Sequence, residues 1–217
     1  MCAAWSVGRA LAVGALILLT APTVGGQSPG LSLPGASSES LAALTRGEWP
    51  TYAGTYASAK YSPLDQITPA NVADLKVAWR WTSPDHAVRA ANARIDPSWY
   101  HEGTPIMVNG VLYTSTSLSQ VAAIDAVTGR TKWVCDPEAW KLGMPTNNGW
   151  LHRGVAYWRD GEDERVIMLT GHASMIALDA RTGRPIGTFG DKGVVDLSPG
   201  CGGPRFPAGS TAIPRRR

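Results

Sequence analysis

The chain has 217 residues, a formal net charge of +3 and an isoelectric point near 8.9. The positive charge sits at its ends: residues 27–200 hold 15 Lys and Arg against all 17 Asp and Glu, so no basic face for nucleic acid is implied. With 44% hydrophobic and 17% charged residues the composition is globular, and nine Trp against two Phe is a skew that the fold must explain.

Residues 1–26 read as a secretory signal. Arg9 supplies the positive start, "ALAVGALILLT" the apolar middle, and "TVGG" small residues for cleavage near Gly26. The apolar run is shorter than the roughly 20 residues a spanning helix needs. Export to the periplasm or outside is therefore expected, with no membrane span after cleavage. Cys2 leaves with the leader. Cys135 and Cys201 remain in neither CxxC nor Cys/His spacing, so no zinc site is expected, and a disulfide between them stays open.

"SPGLSLPGASSES" has the composition of a flexible linker, taken here as residues 27–47. Ordered sequence is expected from residue 48. The only segment with a hint of helical periodicity is "TPANVADL". Beyond it, short β-prone runs alternate with turn signals. In "IMVNGVLYTS", Asn109-Gly110 between apolar runs predicts a tight hairpin. "VAAIDAVTGRTKWV" predicts another, with Asp125 accepting backbone N–H bonds inside a Thr-Gly turn. "YWRDGEDERVIM" predicts a polar hairpin, and "MIALDARTGRPIG" a second Thr-Gly turn.

The two Thr-Gly turns are copies. Asp125 and Asp179, Thr128 and Thr182, and Gly129 and Gly183 are each 54 positions apart, as are Trp79 and Trp133. Four short strands recurring at one interval predict an all-β fold of β-propeller blades, about two to three of them over residues 48–197. A Trp closing each unit gives the Trp skew a purpose: a large ring packs between neighbouring sheets and hydrogen-bonds through its indole N–H. The second copy has Gly187 where the Trp would recur. An antiparallel sandwich is the alternative architecture.

No nucleophile elbow, phosphate loop, paired-His helix or dinucleotide fingerprint occurs. Two stretches stand out. "YHEGTPIMVNG" places His101, Glu102 and Gly103 just before a strand, and "NNGWLHRGVAYW" places Arg153 and Gly154 just before another. Glu and Arg beside Gly suit an anionic ligand approaching blade edges, although such residues at strand entrances are more often solvated surface groups.

The order "YSPLDQIT…NV…L-x-VAW", "HEGTPIMVNGVLYTST", "HRGVAYW" and "IALDARTG" resembles the N-terminal part of the PQQ-dependent dehydrogenases, over residues 48–197. These quinoprotein alcohol and glucose dehydrogenases are periplasmic eight-bladed propellers. The resemblance implies that Glu102 and Arg153 bind the cofactor PQQ. It implies a bound Ca2+, an alcohol or aldose substrate, hydride transfer to PQQ and a periplasmic electron acceptor. It also places the catalytic base, the Ca2+ ligands and the ring that stacks on PQQ in later blades. No catalytic residue and no metal ligand is therefore assigned here, and the chain alone is expected to be inactive.

The alcohol-oxidising type has an adjacent Cys pair before the RG motif. Asn147 and Asn148 stand nearest to it here, which leans toward the sugar-oxidising or uncharacterised branches. Residues 198–217 leave the repeat pattern, with four Arg, no acid and three Pro from Cys201 onward. They are expected to be a disordered basic tail or a frameshifted end. A non-enzymatic propeller scaffold of the cell envelope is the alternative function.

Overall fold

The computed structural model describes residues 33, 36–95, 102–145 and 149–199. The expected leader, His101, the Asn147–Asn148 pair, Cys201 and nearly all of the basic tail lie outside them. Two four-stranded antiparallel meanders dominate. The first runs β1 (Ile106–Val108), β2 (Val111–Ser115), β3 (Val121–Asp125) and β4 (Thr131–Cys135), paired in chain order. The second runs β5 (Ala156–Asp160), β6 (Asp163–Leu169), β7 (Ser174–Asp179) and β8 (Val194–Asp196), also in order. The predicted hairpins form in the predicted places. Val108 pairs with Val111 across a two-residue loop in which both Asn109 (φ +50) and Gly110 (φ +73) are left-handed. That backbone matches the twist of the flanking strands.

The Thr-Gly turns have the same atomic plan. Asp125 Oδ1 accepts from the Val127 amide at 3.1 Å and from both the amide and hydroxyl of Thr128 at 2.8 Å. Asp179 Oδ1 accepts from the Arg181 amide at 3.1 Å, the Thr182 amide at 2.8 Å and the Thr182 hydroxyl at 2.7 Å. A short carboxylate thus closes each turn by satisfying donors the strands cannot reach.

Each turn also receives an indole from the strand or segment before it. Trp79 Nε1 donates to the Ala126 carbonyl at 3.2 Å, and Trp133 Nε1 donates to the Ala180 carbonyl at 3.0 Å. The rings lie flat against Gly129 and Gly183, where an added Cβ would come within 2.5 Å of a ring carbon. No larger residue fits beneath either indole.

The two sheets bury one core between them. Ile106, Val108, Tyr113, Val121 and Ala123 of the first sheet meet Val166, Met168, Ile176 and Leu178 of the second. Alternation along β1 and β6 delivers these residues to one face.

Two expectations differ from the structure. The expected linker over 27–47 ends in a helix, α1 (Ser38–Thr45). Ser37, read from composition as linker, is its N-cap: its hydroxyl accepts from the Ser40 amide at 3.2 Å. Leu44 is fully buried, and Gly54 approaches both Leu44 and the Trp49 ring closely enough that a Cβ would lie 3.1–3.3 Å from them. Trp49 in turn bridges Met107, extending the first sheet at its β1 edge.

The second difference is the fourth strand of the second sheet. The 54-residue repeat places it directly after the second Thr-Gly turn, in "GRPIG", where Gly187 stands in the position of Trp133. Instead the strand is divided. Leu178 bridges Pro185 and Ile186 donates to Ala177, but β8 is formed by Val194–Asp196 after an excursion through residues 187–192. The pairing thus runs through Pro185 and Ile186, stops after them, and is taken up again on β7 by Val194–Asp196.

Between α1 and the first sheet, residues 58–82 contain only a 3-10 turn, Val72–Asp74, which falls within "TPANVADL". A helix without a clear periodic signal, α2 (Asp85–Ala91), follows.

Candidate cofactor-binding edge

Glu102 precedes β1 and Arg153 precedes β5, so each stands at the entrance to the first strand of its sheet. Packing of the two sheets brings these entrances side by side. The Thr104 amide donates to the Arg153 carbonyl at 3.4 Å. Gly154 makes the approach feasible: its φ is +126, and a Cβ there would sit 3.0 Å from the Thr104 carbonyl oxygen. As a result Arg153 Nε lies 3.4 Å from Glu102 Oε2, although the two are 51 positions apart in sequence.

Both side chains remain open to solvent, at 75% exposure for Arg153 and 50% for Glu102. An exposed pair of this kind adds little stability, about 0–1 kcal/mol. Its chemistry is more telling. Nε faces Glu102, while the opposite edge of a guanidinium offers the parallel N–H pair that grips a carboxylate. Glu102, partly neutralised by Arg153, can then lie beside an anionic ligand without uncompensated repulsion.

Sequence reasoning singled out Arg153 but passed over its neighbour. His152 Nε2 is 3.0 Å from Ser119 Oγ. Burial pushes the His152 pKa below its usual value, and the nearby Asp85 opposes that shift. Asp85 is itself buried on α2. Its Oδ1 accepts from Thr116 Oγ1 at 2.6 Å and Gln120 Nε2 at 2.9 Å, and its Oδ2 from the Leu118 amide at 3.2 Å. The only sequence signal for this cluster was a Ser/Thr-rich turn, "TSTSLSQ", of a kind found in many loops.

Two clefts lie elsewhere. One of about 320 Å³, lined by Trp79, Trp81, Asp85, Arg89, Leu112 and Ile124, opens on the face of the first sheet away from the second. The other, about 250 Å³, lies between the 50–58 loop and the start of β5. Neither is lined by Glu102 or Arg153. Charge, close backbone approach and solvent access thus meet at the Glu102–Arg153 edge, apart from both clefts. Among the described residues no group of three or more His, Cys, Asp or Glu is placed to hold a metal ion. Cys135 is half-buried on β4, and burial raises its thiol pKa.

Two four-stranded meanders, locked by an indole set against a glycine, are blades of a β-propeller. The family model for the PQQ glucose/ethanol/alcohol dehydrogenase β-propeller domain matches residues 49–214, and the chain belongs to that family. The dehydrogenase subunit of the quinone alcohol dehydrogenase of Gluconobacter oxydans is 38% identical over 141 residues, 64% of this chain and 16% of that protein. The quinoprotein glucose dehydrogenase of Escherichia coli is 32% identical over 182 residues, 77% of this chain and 22% of that one. Among solved structures, the quinohemoprotein alcohol dehydrogenase of Comamonas testosteroni superposes with a TM-score of 0.56 at 32% identity, over 72% of this chain and 20% of that one. The chain thus spans about a fifth of the length of the relatives it matches.

Proposed function

We propose that this chain supplies the first blades, and one cofactor-binding edge, of a periplasmic or secreted PQQ-dependent dehydrogenase that oxidises alcohols or aldose sugars. The observation that carries the reading is the meeting of Glu102 and Arg153 at the entrances of two adjacent blades. PQQ is a planar tricarboxylate, and the donor set fits it. Arg153 would hold a carboxylate through its guanidinium fork, and Glu102 would orient that fork from the other side. When bound, the cofactor supplies a carbonyl carbon that accepts hydride from the substrate. The residues of this chain hold and orient. No proton-transfer step is assigned to them, and no role is assigned to Ca2+, for which the described residues offer no ligand cluster.

Relatives of both substrate kinds match, so both classes belong to the proposal. The electron acceptor is proposed to be periplasmic, in keeping with the secretory signal that residues 1–26 are expected to form. No helix among the described residues is long and apolar enough to cross a membrane.

The test is an NMR titration of the 217-residue polypeptide with PQQ, following the backbone amide signals of Thr104 and Gly154, which flank Arg153. Two blades present one side of a site, so binding is expected to be weak but saturable. It should be lost in Arg153→Ala and partly kept in Arg153→Lys, which retains charge but not the fork. Equal PQQ affinity in wild type and Arg153→Ala would return this residue to an ordinary surface charge.

A further inference from the structure

The Arg153 side chain is mostly in solvent, so its position depends on its backbone. One neighbouring contact has no counterpart among the described residues of the second sheet. Ser119, φ +65, occupies the left-handed position of the turn from Thr116 to Gln120. In the second sheet the position 54 residues on is Ala173, φ +56. The two turns close alike. The Thr116 amide donates to the Gln120 carbonyl at 2.8 Å, and the Thr170 amide donates to the Ser174 carbonyl at 2.8 Å. The Thr116 hydroxyl accepts from the Gln120 amide at 3.1 Å, and the Thr170 hydroxyl from the Ser174 amide at 3.3 Å.

Ala173 shows that this turn folds without a hydroxyl at the left-handed position. Glycine would suit that backbone better than either residue. The Ser119 hydroxyl has a different partner: it meets His152 Nε2, one residue before Arg153. The turn that presents Ser119 is fastened from below by Asp85, which binds Thr116, Leu118 and Gln120 at once. A continuous path therefore runs from α2 through the turn and His152 to the backbone of Arg153, which the Thr104 amide grips from the other side.

We propose that Ser119 and His152 are positioning residues for the cofactor edge, fixing the backbone at Arg153 so that its guanidinium stands beside Glu102. The proposal rests on the reading of Arg153 as a PQQ-binding residue. Neither Ser119 nor His152 is proposed to touch the cofactor.

Four variants of the 217-residue polypeptide test it. Ser119→Gly and Ala173→Gly relieve the same backbone strain, but only the first removes a bond to His152. His152→Gln keeps a hydrogen-bonding nitrogen near the position of Nε2, and His152→Ala does not. The readouts are hydrogen exchange at the Thr104 amide, PQQ affinity by NMR titration, and thermal midpoint as a check on folding. Loss of one hydrogen bond predicts roughly three- to tenfold faster Thr104 exchange in Ser119→Gly and His152→Ala, with a similar loss of PQQ affinity. Ala173→Gly should leave both unchanged, His152→Gln should restore part of each, and Ser119→Gly should not lower the midpoint.

Unchanged Thr104 exchange in both Ser119→Gly and His152→Ala overturns the proposal. Faster exchange with unaltered PQQ affinity also overturns it, because the clamp would then position nothing the cofactor uses. Absence of PQQ binding by the wild-type polypeptide overturns the functional reading and the cofactor role given to the clamp, while the exchange data still decide whether the clamp exists.

Discussion

Trp133 and Ala180 are joined by a hydrogen bond of 3.0 Å from the indole N–H to a backbone carbonyl, across 47 positions of sequence. The same carbonyl accepts from the Tyr113 hydroxyl at 3.2 Å. One oxygen at the edge of the second sheet thus ties down two aromatic residues of the first, whose ring centroids are 6.0 Å apart. The sheets are held by this junction and by the apolar core beneath it.

Trp133→Ala should cost roughly 3–5 kcal/mol, the usual loss for truncating a large packed aromatic. Trp158 is the control. It is 41% exposed and contacts mainly the Arg165 guanidinium, 4.8 Å from its ring. Its replacement by Ala should cost about 0.5–1 kcal/mol, the scale of an exposed cation–π contact. Urea denaturation of both variants measures the difference, and equal small losses would contradict the docking role of Trp133.

The glycine beneath the indole gives a sharper test. Gly183 (φ +71) and Gly110 (φ +73) have nearly the same left-handed φ, so an added methyl meets similar strain from φ at both. At Gly110 nothing lies within 4 Å of the new atom, whereas at Gly183 the Trp133 ring lies at 2.5 Å. Gly110→Ala should cost about 1–2 kcal/mol from the left-handed backbone alone. Gly183→Ala should cost a further 1–3 kcal/mol from overpacking. Combining it with Trp133→Ala should be less than additive, because the second change removes the clash created by the first. Strict additivity would show that the ring does not sit where the structure has it.

Much of this was readable in the sequence, for a physical reason. Asp125, Thr128 and Gly129 act within one turn, and local chemistry is what local sequence encodes. The 54-residue spacing carried that local pattern to a second sheet. What escaped were features whose cause is distant. Ser37 had the composition of a linker and became a helix cap because Leu44 found cover against Trp49 and Gly54. The split fourth strand depends on Val194–Asp196 returning to β7 from beyond the turn, a pairing that no local pattern contains. At the candidate site, Glu102 and Arg153 were singled out separately. Their ion pair and the His152–Ser119 contact depend on packing between sheets, which no stretch of either sequence segment contains.

The Asp125 turn predicts a dependence on acid. The Thr128 hydroxyl and amide hold the Asp125 carboxyl below its usual pKa, with smaller help from the Val127 amide and Lys132. A folded-state pKa depressed below the unfolded value contributes stability that is present above the unfolded pKa of about 3.9 and lost as pH falls through the folded one. Thermal midpoints measured from pH 7 down to strongly acidic buffer should fall less steeply in Asp125→Asn than in wild type. Because the residue is exposed, salt should shrink the difference. Parallel acid profiles for the two proteins would remove the carboxylate from the account of this turn.

At the alkaline end two stacked tyrosines, Tyr113 and Tyr157, are both held above the usual phenol pKa, chiefly by burial. Tyr113 is the one with a hydrogen bond to lose. Burial raises its pKa to about 12, with Glu164 and Asp179 adding repulsion to the phenolate. Its hydroxyl also donates to the Ala180 carbonyl, a bond that a phenolate cannot make. A folded-state pKa raised above the unfolded value contributes stability that is intact below the unfolded pKa near 10 and lost as pH rises through the folded one. Native protein at pH 11 should therefore show less phenolate absorbance near 295 nm than its tyrosine count implies, and unfolding should release the remainder. Tyr113→Phe keeps the ring in the core but removes both the ionisable group and one donor to Ala180. It should lower stability at neutral pH by about 1 kcal/mol, the net worth of a typical hydrogen bond. It should also flatten the decline between pH 10 and 12. A variant whose alkaline decline matched that of wild type would place the titrating group elsewhere and leave the Tyr113–Ala180 bond a contact of packing alone.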